Sequence, residues 1–106
     1  MRLSGKRSTW LLFVAAAIFS GACSDRDAAK RRYFENGNQY LIEKKYQEAI
    51  VEYRNALQQD DKFADARLKL ADASAASGDL AAALKEYVRA ADLLPEDADV
   101  QLKAAT

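Results

Sequence analysis

AIVEYRNAL, residues Ala49 to Leu57, returns as ALKEYVRAA at Ala83 to Ala91, thirty-four residues further along the chain. Four of the nine positions are identical, and the same shift sets Tyr46 against Leu80, Ile50 against Leu84 and Asp61 against Pro95. Within the first copy, Tyr46, Ala49, Ile50, Tyr53, Ala56 and Leu57 fall at i, i+3, i+4, i+7, i+10 and i+11. That spacing puts one continuous apolar face on a helix, with Glu48, Glu52 and Arg54 on the outside. A fixed period of this length, built from two helical segments per unit, marks a helix-turn-helix solenoid rather than a self-contained catalytic domain.

Composition agrees. The 106 residues have room for one small core, and they are rich in Ala, Leu, Glu, Lys, Gln and Arg with a single Pro, so an all-α chain is expected. There is no His, which removes imidazole bases and His-ligated metals. One Cys makes neither an intramolecular disulfide nor a four-Cys zinc site. Formal charge is zero overall, but Arg2, Lys6 and Arg7 precede Cys23 without an acid. Beyond them 13 of the 16 basic residues stand against all 16 acidic ones, a net charge of −3. With no basic face and no base-stacking motif, nucleic acid is not the expected partner.

Those three basic residues are followed by the ten-residue apolar run Trp10 to Phe19 and then by Ser20, Gly21, Ala22 and Cys23. Basic, apolar and small-residue segments in this order form a secretory signal peptide. Even Trp10 to Ala22 is only thirteen residues, too short for the roughly 20 that a helix needs to span a bilayer. The sequence Phe19-Ser20-Gly21-Ala22-Cys23 resembles a bacterial lipobox, with Ser20 where Leu is most frequent. The resemblance implies that residues 1–22 are a lipoprotein signal peptide, that Cys23 receives a diacylglyceryl group, and that the new amino terminus is acylated. Two or more acyl chains anchor stably where one binds only marginally. Ser24 after the Cys implies delivery to the outer membrane, facing the periplasm.

Residues 23–29 are expected as the lipidated Cys and a polar linker. From there Tyr33, Gly37, Tyr40 and Leu41 fall at helical spacing, with Phe34 and Ile42 beside that stripe. Lys30, Arg31 and Arg32 sit close enough to the expected anchor to reach lipid headgroups. Three basic residues are, however, fewer than the about 4 to 8 of headgroup-binding clusters, and a solvated first turn is the plainer reading.

The whole resembles the tetratricopeptide repeat (TPR) family. In a first repeat at 30–63, Tyr33, Gly37, Tyr40, Ala49, Tyr53 and Ala56 stand at the family's aromatic and small packing positions, with Asn36 and Asp61 departing from its Leu and Pro. Asp61 is expected to cap the next helix. A second repeat at 64–97 carries Leu70, Ala71, Ala83, Tyr87, Ala90 and Pro95, with Arg67 and Ser74 as its weak matches. Its helices are expected over about Phe63 to Ser77 and Leu80 to Leu94, broken by Gly78 in a left-handed C-terminal position and capped by Asp79. Pro95 closes the unit. Residues 98–106 begin a third repeat behind Asp97. Stacked repeats generally need about three units, so the expectation is the leading part of a longer array, or an end covered by a partner.

The resemblance implies a groove lined by the first helix of each repeat. Phe34, Asn38, Leu41, Leu68 and Asp72 are the partner-contact candidates, flanked by Arg31, Ile42, Asp65, Ala75 and Ala76. Relatives that clamp a terminal carboxylate use a Lys where this chain has Phe34. Only Asn38 fits, so such a clamp is not expected. Asp60, Asp61, Glu96, Asp97 and Asp99 fall at helix starts, where negative charge is favoured, and lack calcium-loop spacing. No nucleophile-base set or phosphate-binding loop can be assembled, and neither catalysis, metal nor cofactor is expected.

The expected function is that of a lipid-anchored scaffold of the bacterial envelope, gathering other envelope proteins or peptides. Its layout resembles the TPR lipoproteins of exosortase and exopolysaccharide systems, and equally those of pilus or outer-membrane assembly. The alternative is the leading adaptor of a longer multidomain envelope enzyme.

Overall fold

The computed structural model describes residues 24–105. The expected signal peptide, Cys23 and Thr106 lie outside the described residues. Five helices account for nearly all of those residues, with no strand among them: α1 over residues 24–42, α2 (Tyr46–Gln59), α3 (Ala64–Ala76), α4 (Leu80–Leu93) and α5 (Ala98–Ala105). Short turns make consecutive helices antiparallel neighbours, with α2 packed on α3, α3 on α4 and α4 on α5. The pairs α1/α2 and α3/α4, here units 1 and 2, are the two copies that the thirty-four-residue period requires.

The first difference from the sequence reading is at residues 24–29, which are helical and part of α1 rather than a linker. Residues 24–28 are all exposed, so burial does not order them. Local chemistry does: Asp25 and Asp27 suit a helix N-terminus, Ala28 and Ala29 are strong helix formers, and Asp27 lies 3.8 Å from Lys30 one turn on. The basic trio that follows is split. Lys30 turns inward to Asp60 at 3.0 Å and over the Phe63 ring, Arg32 lies over the Tyr33 ring, and Arg31 is exposed. The Lys30 hydrogen bond and the Lys62 backbone N–H hold the Asp60 carboxyl below its usual range.

The core is made of small residues and one large ring. Ala49, Ile50, Tyr53, Leu70 and Ala73 form one buried cluster, with Phe34, Tyr40, Leu41 and Leu57 packed on it. Ala90, Ala91 and Val100 form a second, covered by Leu68, Leu94 and Ala104. Ala56, Ala66, Ala71 and Ala83 are buried as well, and their short side chains let helix axes approach closely. Tyr33 is half-buried and Pro95 exposed in its turn.

Closest of all is Gly37 on α1. A Cβ there would stand 2.6 Å from Cε1 and 2.8 Å from Cδ1 of Tyr53, whose side chain is fully buried. In unit 2 the same place holds Ala71, and the tyrosine facing it, Tyr87, is only half-buried. The extra methyl group and the looser ring go together.

The turns inside the two units share one hydrogen-bond pattern on different residues. At the end of α3, the Asp79 N–H donates to the Ser74 carbonyl at 2.9 Å and the Gly78 N–H to Ala75 at 3.0 Å, with Gly78 at φ +91°. At the end of α1, Lys45 donates to Tyr40 at 2.9 Å and Lys44 to Leu41 at 3.1 Å, with Lys44 at φ +59°. Both are left-handed helix stops, but a lysine there carries a steric cost that glycine does not. Asp79 caps α4 through the Ala82 N–H as expected, whereas α2 starts at Lys45 with no side-chain cap. Asp97 likewise accepts from the Val100 N–H at 3.2 Å to start α5.

Asp61 does not cap α3. The residue before that helix is Phe63, which offers no side-chain acceptor. Asp61 instead presents its backbone carbonyl to Arg67 Nε and Nη2 at 3.1 and 2.8 Å. Its neighbour Asp60 accepts from the Lys62 N–H.

Tyr53→Ala is expected to cost roughly 3 kcal/mol or more in chemical denaturation, the range for removing a buried aromatic ring. An unchanged midpoint would contradict the packing described. Lys44→Gly is expected to stabilise the chain by about 0.5 to 1 kcal/mol by relieving the left-handed lysine, read as a melting temperature raised by a few degrees.

Candidate partner-binding groove

The inner wall of the stack is built on two hydrogen bonds related by the repeat. The Tyr53 hydroxyl on α2 donates to Asn38 Oδ1 on α1 at 2.7 Å. Thirty-four residues on, the Tyr87 hydroxyl on α4 donates to Asp72 Oδ1 on α3. Each ties the two helices of a unit together from the groove side. Both phenols are harder to ionise than usual. Burial, and secondarily the Asp72 carboxylate, pushes the Tyr53 hydroxyl up to about 12. Burial, then the hydrogen bond to Asp72 and its charge, raises Tyr87.

Asn38 and Asp72, expected as partner contacts, are thus already bonded within their own units. Lys103 of α5 adds a third member beside Asp72, at 3.5 Å, with its ammonium 5.4 Å above the Tyr87 ring. The apolar candidates are also engaged in packing. Phe34 lies 5.9 Å from the Tyr53 ring and 4.8 Å from the Phe63 ring. Leu41 packs on the first core cluster and Leu68 on the second. All three are half-buried, so each keeps an edge toward solvent. The most exposed large apolar side chains among the described residues are Ile42, at 76%, and then Leu80 and Leu102. Arg31, Asp65 and Ala76 are exposed, and Ala75 is half-buried.

Sequence reading missed the ion pair behind this wall. Arg67, a weak match to an aromatic position, points Nη1 at Glu86 Oε2 at 3.0 Å, and Arg89 reaches Glu86 Oε1 at 3.1 Å. The Arg67 and Glu86 side chains are mostly buried. Their counterparts are Tyr33 and Glu52, and Glu52 is held instead by Asn36 Nδ2 at 3.5 Å. The one sign in the sequence was Arg67 standing where unit 1 has Tyr33, since Glu86 merely repeats Glu52. No period-based reading compares those positions.

Two hollows adjoin the stack. One of about 580 Å3 is lined entirely by residues 93–99 of the α4–α5 turn, so no second element converges on it. The other, of about 290 Å3, is formed by α3, α4 and α5 together. Among the described residues no group of three or more His, Cys, Asp or Glu side chains is placed to hold a metal ion, and no helix is long and apolar enough to cross a membrane.

A model of the tetratricopeptide repeat matches residues 40–106, well over half of the chain. The chain belongs to the tetratricopeptide repeat family. A comparison with curated proteins finds no match. TPR units generally mediate protein–protein interaction and are typically non-catalytic. In this TPR chain the two tyrosine bonds and the small-residue packing join the helices of each unit.

Stability in alkali follows from the tyrosines. A phenol whose folded pKa exceeds its unfolded value of about 10 contributes stability that is complete below that pH and is lost as pH rises through the folded value. Denaturation midpoints are expected to fall as pH climbs from about 10 toward 12. Relative to the wild type, Tyr53→Phe should show a shallower fall over the same window.

Proposed function

We propose that this TPR chain is a non-catalytic, lipid-anchored scaffold of the bacterial cell envelope, held at the outer membrane through Cys23 and facing the periplasm. In this reading its repeat groove gathers other envelope proteins, in the manner of TPR lipoproteins of exopolysaccharide export or of pilus and outer-membrane assembly. The observation that carries the proposal is the direct succession of a basic, apolar and small-residue leader, a Cys, and a TPR stack. Support comes from residues 24–28, which are exposed along α1 and packed under no other element. The repeats therefore leave the chain next to Cys23 uncovered. Acyl chains on that residue would supply the membrane affinity.

Metabolic labelling with a palmitate analogue tests the anchor. Wild-type chain should take up label and sediment with outer membranes, and Cys23→Ala should lose both properties. Label retained by the variant would defeat the proposal.

A further inference from the structure

Helices that alternate in direction bring every second turn to the same end of the stack. The start of α1, the α2–α3 turn and the α4–α5 turn therefore share one edge. Lys30 of α1 meets Asp60 of the first turn at 3.0 Å, and Leu68, near the start of α3, covers the same buried cluster as Leu94 of the second turn. Charge falls steadily along that edge. Residues 24–32 carry Arg26, Lys30, Arg31 and Arg32 against Asp25 and Asp27, a net charge of +2. Residues 60–65 carry Asp60, Asp61 and Asp65 against Lys62, a net charge of −2. Residues 92–99 carry Asp92, Glu96, Asp97 and Asp99 without a base, a net charge of −4, and all four are exposed. Helix capping accounts for Asp97 but not for the whole trend. Asp92 sits in the last turn of α4, where the helix dipole disfavours a carboxylate.

We propose that this edge meets an anionic lipid surface and that its charge gradient orients the stack there, with the start of α1 nearest the lipid and the α4–α5 turn held away. The inference rests on the anchor at Cys23 and adds the posture of the repeats upon it. Residues 24–29 are helix rather than slack chain. Lys30, placed between Asp27 at 3.8 Å and Asp60 at 3.0 Å, ties that helix to the first turn. At about 1.5 Å per residue, these six residues set the Asp60 turn about 9 Å beyond Ser24, close to the screening length of about 8 Å at physiological salt. The acids of the first turn are therefore largely screened from the lipid while the stack stands on α1. A tilt that lowers the α4–α5 turn instead brings four more negative charges within reach of lipid phosphates. At the other end Arg26, Arg31 and Arg32 are exposed. They are fewer than the about 4 to 8 basic residues of clusters that bind headgroups, so they steer an end that the acyl chains already hold.

Vesicle fluorescence tests this on the lipidated chain purified from membranes. Cys23 is the one Cys of the sequence and is acylated under this reading. A Cys introduced at Ala28 or at Ala98, both exposed, therefore takes a fluorophore at the near or the far end of the edge. Energy transfer to an acceptor on lipid headgroups reads how close each label lies to the surface. On vesicles containing phosphatidylglycerol, Ala28→Cys should transfer strongly and Ala98→Cys weakly. Asp92→Lys with Glu96→Lys, two exposed positions, should raise transfer from Ala98→Cys. Salt at about 1 M, which shortens the screening length to about 3 Å, should raise it about twofold. Equal transfer from Ala98→Cys on phosphatidylglycerol and on uncharged phosphatidylcholine vesicles, or with and without the two lysine substitutions, overturns the orientation and leaves the anchor standing. A chain that floats with neither kind of vesicle defeats the anchor, and this inference with it.

Discussion

The Tyr53 ring lies against the backbone of Gly37 on α1, gives its hydroxyl proton to Asn38, and shares a buried cluster with Leu70 and Ala73 of α3. One side chain therefore fixes three helices, two within a unit and one in the next. Neither unit could shield this ring alone, because an α1/α2 pair exposes the face that α3 covers. A single helical hairpin of this length is marginal in water, and stacking removes that face from solvent. The arrangement is one in which each unit is stable because its neighbour is present.

The same dependence explains why the groove is less open than a list of first-helix residues suggests. Phe34, Leu41 and Leu68 each serve the core with one edge and the inner wall with the other. Asn38 and Asp72 hold the tyrosines. The side chains expected to meet a partner are thus the same ones that pack the helices together.

How much of this was legible in the sequence depends on what kind of information each feature uses. Helix number, unit boundaries and the buried faces of α2 and α4 follow from periodicity. The period acts through side-chain direction, which a helix fixes. The Gly78-Asp79 break was readable because both residues have strong local preferences. Lys44, at φ +59°, was not, since nothing local favours a left-handed lysine. Residues 24–29 looked like a tether because they are polar, yet their alanines and early acids suffice for helix. The Arg67–Glu86 contact was invisible for another reason: it joins positions nineteen apart on two helices, where Arg67 looked merely atypical and Glu86 simply repeated Glu52.

That contact also bears on how near-copies avoid confusion. Two units with the same apolar faces could exchange partners during folding, α4 settling against α1 in place of α3. Such a swap would set Glu86 before Tyr33, parted from Arg67 and left with the exposed Arg89, and would leave the Arg67 guanidinium with only the Asp61 carbonyl. Separating two mostly buried charges is costly, whereas the correct pairing satisfies both. The ion pair works as a registration mark: it adds little to the grip between the helices and distinguishes the right neighbour from its look-alike.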